Sequence, residues 1–246
     1  MDAKLQTHVF STESVVFETA QIFADLIANR CQTYNRVLLM LSGGSSLMVY
    51  KQMLVFLNGV DLSSLYVTLT DERMVSSNSS DSNFWQMKQM GIVSGFQHLG
   101  AEVFGFLDDS YDGLRAAMTI SDRILSIDSD CTVVLAGMGA DGHTLGWLPT
   151  QSNDRFFELY GGDQAVVYYE VDPQDSDNPH RKRLTCSLAF VQSIADILVF
   201  CSGEKKAVAL SRLIDHQSHL SHVLPIKELL TGREEMDVYT DINLSF

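Results

Sequence analysis

The sequence predicts an α/β fold, with a mostly parallel sheet flanked by helices on both faces. Two observations point there. Short apolar runs rich in strand formers alternate along the chain with segments of helical period. Several of these runs end in glycine-rich or polar loops just before a helix begins, the signature of strand, turn, helix units. With 246 residues and 46% hydrophobic content, the chain can bury a sizeable core without staples.

Taken in order, Val16, Ala20, Phe23 and Ile27 recur at helical spacing after a candidate cap at Ser11 or Thr12. RVLLML (Arg36 to Leu41) reads as a strand, SGGSS as its exit turn and LMVYKQMLVFL as the following helix. The unit recurs: LYVTLTDER as one strand, SNFWQMKQM as a helix, AEVFGF as a strand, LRAAMTISDRILSI as a helix, CTVVLAGMG as a strand. AVVYYEV and DILVFCSG continue as strands, a helix starts near Glu204, and DVYTD is a last short strand. GGDQ and VDPQDSDNPH read as loops, because the same texture resumes after each; residues 1–246 are therefore expected to form one domain.

The formal net charge of -14 and a pI near 4.7 argue against a nonspecific grip on nucleic acid or an anionic membrane. An anionic ligand has to be held by a local cluster of donors. Cys31, Cys131, Cys186 and Cys201 form no CxxC pair and read as free thiols of a reducing compartment. The N-terminus has no export signature and no apolar run is long enough to cross a bilayer, so a cytoplasmic protein is expected. It is expected to be a monomer or small homo-oligomer.

Ligands of open parallel sheets gather at the carboxyl ends of strands. Three motifs fall at such ends. SGGSS (Ser42 to Ser46) offers flexible glycines, amides and hydroxyls before a helix, suited to a phosphate or simply to a tight turn. TDER places Asp71 and Glu72 beside Arg73, as a binding group or as a solvated charge cluster. GMGADGHT carries His143, whose neutral imidazole can take a proton near pH 7, with Asp141 available to orient it; the alternative is a solvated loop histidine. HRKRLT around Arg183 and SGEKKA around Lys206 supply local cations in an acidic chain. HQSHLSH spaces His216, His219 and His222 three apart, which fans them around a helix and makes a solvated helix end the default over a metal site. Trp85 and Trp147 read as packing groups, Trp147 near enough to His143 to shape a pocket.

The ordered set LSGGSS, TDERMV followed by DSN (Asp81 to Asn83), GMGADGHT with the later LP, RLT before ADILVF, GEKKA and Leu224-Pro225 resembles the 6-phosphogluconolactonases, of the family that also includes glucosamine-6-phosphate deaminases. The resemblance spans nearly the whole chain. It implies a modified Rossmann-like fold and hydrolysis of the δ-lactone of 6-phosphogluconate in the oxidative pentose phosphate pathway, without a required metal or organic cofactor. His143 matches the family's catalytic histidine, which would activate water, with Asp141 positioning it. Gly43, Gly44 and Ser45, with Asp71, Arg73, Arg183 and Lys206, would hold phosphate and sugar oxygens, Arg183 and Lys206 being the direct phosphate partners. Amides near Gly44 or in the Asp141–His143 loop would stabilise the oxyanion.

Deaminases of the family resemble DGHIAFNEP, with an acid five residues after the histidine; here that position is Leu148, and DER replaces DEY, both favouring the lactonase. Lactonases usually continue DGHTASLFP, whereas this chain reads DGHTLGWLP, and Ser76 replaces the family's proline after DER-x-V. Leu145 and Trp147 are therefore expected to narrow the pocket or alter its substrate.

Overall fold

The computed structural model describes residues 4–172, 179–215 and 220–244. In chain order the strands are β1 (Lys4–Val9), β2 (Val37–Leu41), β3 (Leu65–Leu69), β4 (Asp71–Arg73), β5 (Glu102–Val103), β6 (Cys131–Gly137), β7 (Val166–Glu170), β8 (Lys182–Cys186), β9 (Asp196–Cys201) and β10 (Glu235–Thr240). The helices are α1 (Val15–Thr33), α2 (Leu47–Phe56), α3 (Asn83–Gln89), α4 (Ile92–His98), α5 (Gly113–Ser126), α6 (Asn153–Tyr160), α7 (Leu188–Gln192) and α8 (Ala207–Ile214).

Seven strands form a parallel sheet in the order β1-β10-β9-β6-β2-β3-β5. Beside its middle strand β6 runs the apolar VLLML of β2, every residue of which is buried, as a strand covered on both faces requires. α1 forms as its pattern predicts, burying Ala20, Phe23 and Ile27. The cap position falls at Ser14, later than the two candidates, and its side chain makes no cap bond; Ser11 instead holds the turn that leads in, its carbonyl accepting from Val15 N–H at 2.9 Å and its hydroxyl oxygen from Ser14 N–H at 3.2 Å.

LYVTLTDER is not one strand. Thr70 still bonds the central sheet through Leu41, but its carbonyl accepts from Cys186, and the chain swings away. Asp71–Arg73 then joins a separate antiparallel sheet in the order β4-β8-β7. AEVFGF likewise contracts to the two paired residues of β5. The edge strand β1 and the short helices α4, α6 and α7 go beyond the sequence reading.

From β2 the chain moves outward to β3 and β5; from β6 it moves the other way, to β9 and β10. The order reverses between β2 and β6, so their carboxyl ends diverge into a crevice. Behind it the fully buried Tyr50 of α2 donates its hydroxyl to the Leu135 carbonyl at 2.9 Å and accepts from Ser42 N–H at 3.2 Å, pinning the two diverging strands together. Tyr50→Phe is expected to lower unfolding free energy by about 1–2 kcal/mol in urea denaturation, because the Leu135 carbonyl loses a buried donor.

Candidate active site

The crevice holds a cavity of about 350 Å³. Ser42 to Ser45, leaving β2, form one wall, and Gly137 to Gly139, leaving β6, form the wall facing it. Asp71 and Arg73 of β4 and Arg183 of β8 line it from the second sheet. Lys206, in the turn after β9, also lines it and donates to Ser45 Oγ at 3.0 Å. Burial holds the Lys206 ammonium below the usual lysine value. Five segments distant in sequence thus meet at one end of the sheet.

His143 lines the cavity; Asp141 does not, but stands beside the ring with Oδ1 2.6 Å from Nδ1. An ionised carboxylate only accepts, so the shared proton resides on Nδ1 and the Nε2 lone pair is left free. Burial alone would raise the Asp141 pKa, but the hydrogen bonds and charge of His143 outweigh it and hold the carboxyl below its usual value. The ring fits because position 139 is glycine: a Cβ there would lie 2.1 Å from Nδ1. Three of the loop's own amides are committed. His143 N–H donates to Asp141, Gly139 N–H to the His143 carbonyl and Gly142 N–H to the Gly139 carbonyl. The amides at the start of the 3-10 turn Gly44–Ser46, which have no preceding helical carbonyl, are the better placed donors for an anion.

The pairing of β4 with β8 sets Arg73 directly opposite Arg183. Opposite residues share a face, where like charges repel. Asp71 offsets part of this: its Oδ2 accepts from Arg183 Nη2 at 3.1 Å, with both side chains less than a tenth exposed. Arg73 donates through Nη1 to the Asp81 carbonyl at 2.7 Å. Buried polar atoms without partners are uncommon. Among the described residues six side-chain atoms are in that state, and Arg73 Nε, Arg183 Nε and Asn83 Oδ1 belong to residues lining this cavity.

The TDER charges are not a solvated cluster. Asp71 and Glu72 are buried, and the Glu72 carboxylate accepts from the amides of Arg73, Asn83 and Phe84 and from Ser82 Oγ, at 2.7 to 2.9 Å. Burial pushes its pKa up, and the four donors offset part of that rise. Glu72 thereby ties the start of α3 to β4. Asn83, the first residue of α3, lines the cavity although no role was read for it from the sequence; its proximity to Gly43 arises only when α3 meets the β2 exit loop.

The divergent TLGW segment forms a tight turn. Leu145 and Gly146 both have positive φ, +52° and +85°, between the mutually bonded Thr144 and Trp147, the pattern of a type I′ turn. Thr185 Oγ1 donates to the Leu145 carbonyl and the Tyr169 hydroxyl to the Gly146 carbonyl. Leu145 does line the cavity. Trp147 does not: it is fully buried and donates Nε1–H to the Cys186 carbonyl at 2.8 Å. Leu148, five residues after His143, is 2% exposed, with its N–H given to the Tyr160 hydroxyl. Of the HQSHLSH histidines, His216 and His219 lie outside the described residues, and His222 Nδ1 sits 2.9 Å from Asn153 Oδ1.

A family model described as glucosamine-6-phosphate isomerases/6-phosphogluconolactonase matches residues 11–238. The chain belongs to this family. Within it, a rice protein named "Probable 6-phosphogluconolactonase 3, chloroplastic" is 24% identical, the match covering 94% of this chain and 71% of the relative. A 6-phosphogluconolactonase crystal structure from Shewanella baltica superposes with a TM-score of 0.81 at 22% identity, covering 97% of each chain. A monomeric glucosamine-6-phosphate deaminase reaches 0.72 at 20% identity, with 96% and 97% covered. The family's fold is therefore shared by both chemistries, and only the site residues can separate them. Among the described residues no helix is long and apolar enough to cross a membrane.

Two outcomes follow from the geometry. Glu72→Gln puts an amide NH₂ among four donors and is expected to destabilise the protein by about 2–3 kcal/mol in chemical denaturation. Asp141, with its folded-state pKa depressed, stabilises the fold above the ordinary carboxylate value and loses that contribution as pH falls through the depressed one. The Tm difference between wild type and Asp141→Asn, followed by calorimetry, is expected to be largest near neutrality and to shrink in acid.

Proposed function

We propose that the chain, folded as one domain over residues 1–246, hydrolyses 6-phospho-D-glucono-1,5-lactone to 6-phosphogluconate in the oxidative pentose phosphate pathway. The observation that carries this reading is one cavity with an oriented imidazole and three cations, Arg73, Arg183 and Lys206, the two arginines each with a buried Nε that has no partner. His143 Nε2 takes a proton from water as its oxygen attacks the lactone carbonyl carbon. The amides of the Gly44–Ser46 turn stabilise the tetrahedral oxyanion. When that intermediate collapses, the bond from C1 to the ring oxygen breaks and the imidazolium returns its proton to the departing oxygen. Asp141 holds the ring in the tautomer this requires and stabilises the imidazolium.

Arg183 and Lys206 hold the phosphate, with Arg73 and the Gly43, Gly44 and Ser45 loop holding it or the sugar oxygens; Asp71 keeps Arg183 in place. A dianionic group between two facing arginines relieves the repulsion that their register creates. Deaminase chemistry is disfavoured by the buried, apolar Leu148 where the deaminase pattern has an acid. No organic cofactor or metal is called for. We place the enzyme in the cytoplasm, as a monomer or small homo-oligomer, in keeping with its four free cysteines.

The test is hydrolysis of freshly generated lactone, corrected for spontaneous opening, with ammonia release from glucosamine 6-phosphate measured in parallel. Wild type is expected to turn over the lactone, and His143→Ala to lose about 10²–10⁴-fold in kcat. Full activity in His143→Ala removes the base; ammonia release without lactone turnover selects the deaminase; binding of 6-phosphogluconate without either activity selects a sugar-phosphate sensor.

A further inference from the structure

The Asn83 side chain has one half anchored and the other unused. Its residue is 2% exposed, its backbone N–H donates to Glu72 Oε1 at 2.8 Å, and its Nδ2 donates to the Asp71 carbonyl at 2.9 Å. Because that carbonyl can only accept, the amide cannot flip. Oδ1 is thereby fixed, buried and without a hydrogen-bond partner, on a residue that lines the cavity. Position 43 is shaped around it: a Cβ on Gly43 would fall 2.4 Å from Oδ1, although the backbone there (φ -76°, ψ -165°) is open to any residue. The cations around the cavity donate hydrogen bonds to anions, and Asp71 already accepts from Arg183 and from Thr70. Asn83 Oδ1 is complementary to something different: an uncharged O–H donor.

We infer that Asn83 is a further substrate-binding residue, whose Oδ1 accepts a hydrogen bond from one hydroxyl of a phosphorylated polyhydroxy substrate and selects for that hydroxyl. This rests on the reading of the cavity as a sugar-phosphate site. A fixed acceptor that is buried and otherwise unpaired penalises a ligand lacking the hydroxyl more than a solvated acceptor would, since it regains no bond elsewhere. Gly43 has a matching part, leaving the space that Oδ1 occupies.

The experiment uses the product acid, which does not turn over. Calorimetry measures binding of 6-phosphogluconate and its 2-, 3- and 4-deoxy forms to wild type, Asn83→Ala and Gly43→Ala. In wild type one deoxy form is expected to bind about 10- to 100-fold more weakly than the parent acid. Asn83→Ala weakens the parent by a similar factor and no longer distinguishes that one deoxy form from it, while discrimination at the other hydroxyls persists. Gly43→Ala, whose Cβ displaces Oδ1 with the asparagine still present, reproduces the same selective loss, and the two losses do not add in the double variant. Wild-type discrimination retained at every hydroxyl in both single variants overturns the inference. Failure of wild type to bind any of the four acids instead overturns the sugar-phosphate reading, and this inference falls with it.

Discussion

The buried ion pair between Asp71 and Arg183 is the constraint on which the rest of the site depends. Neither charge has much water around it, so each is tolerable only with the other in place, and removing one leaves the partner uncompensated at a cost of about 3–5 kcal/mol. To bring them together the chain must leave the parallel sheet at Thr70 and enter a second sheet whose other strands arrive nearly a hundred residues later. That crossing sets the two arginines face to face beside the crevice. It also packs the TLGW turn, gripped by Tyr169 and Thr185, against the same strands. One electrostatic pair therefore connects the fold's departure from a simple parallel sheet to the cationic wall of its cavity.

Features encoded locally were legible in the sequence. VLLML announced an interior strand, Ala20, Phe23 and Ile27 the buried face of the first helix, and the glycine-rich exits after β2 and β6 the walls of the crevice. Features made by pairing distant segments were not. LYVTLTDER is continuously strand-like, and nothing within it says that Thr70 is where one sheet ends and another begins. KLQTHV is too polar to mark a strand until DVYT is beside it, as it is at the sheet edge. α7 is five residues long and shows less than two turns of pattern. Of the site, Gly43, Gly44, Ser45, Asp71, Arg73, His143, Arg183 and Lys206 do converge, and Asp141 meets His143 from outside the cavity wall. Asn83 escaped because its neighbour Gly43 is forty residues away. Trp147 is the packing group its residue type suggested but does not shape the pocket, because a type I′ turn sends residues 145 and 147 to different sides, the first to the cavity and the second to the core.

Family membership fixes the scaffold and leaves the chemistry to a few side chains. Solved lactonase and deaminase structures overlay this chain over nearly its full length, so the argument for lactone hydrolysis rests on what surrounds His143. There Asp141 contacts the imidazole and position 148 carries a buried leucine in place of an acid, which is the arrangement the proposed water-activating role of His143 requires.

The most direct measurement is a crystal structure of the protein with 6-phosphogluconate bound. The account predicts the phosphate within hydrogen-bond distance of Arg183 and Lys206, with the C1 carboxylate, standing in for the attacked lactone carbonyl, beside His143 Nε2. A phosphate bound away from the Arg73, Arg183 and Lys206 cluster, or a C1 group remote from His143, would contradict it.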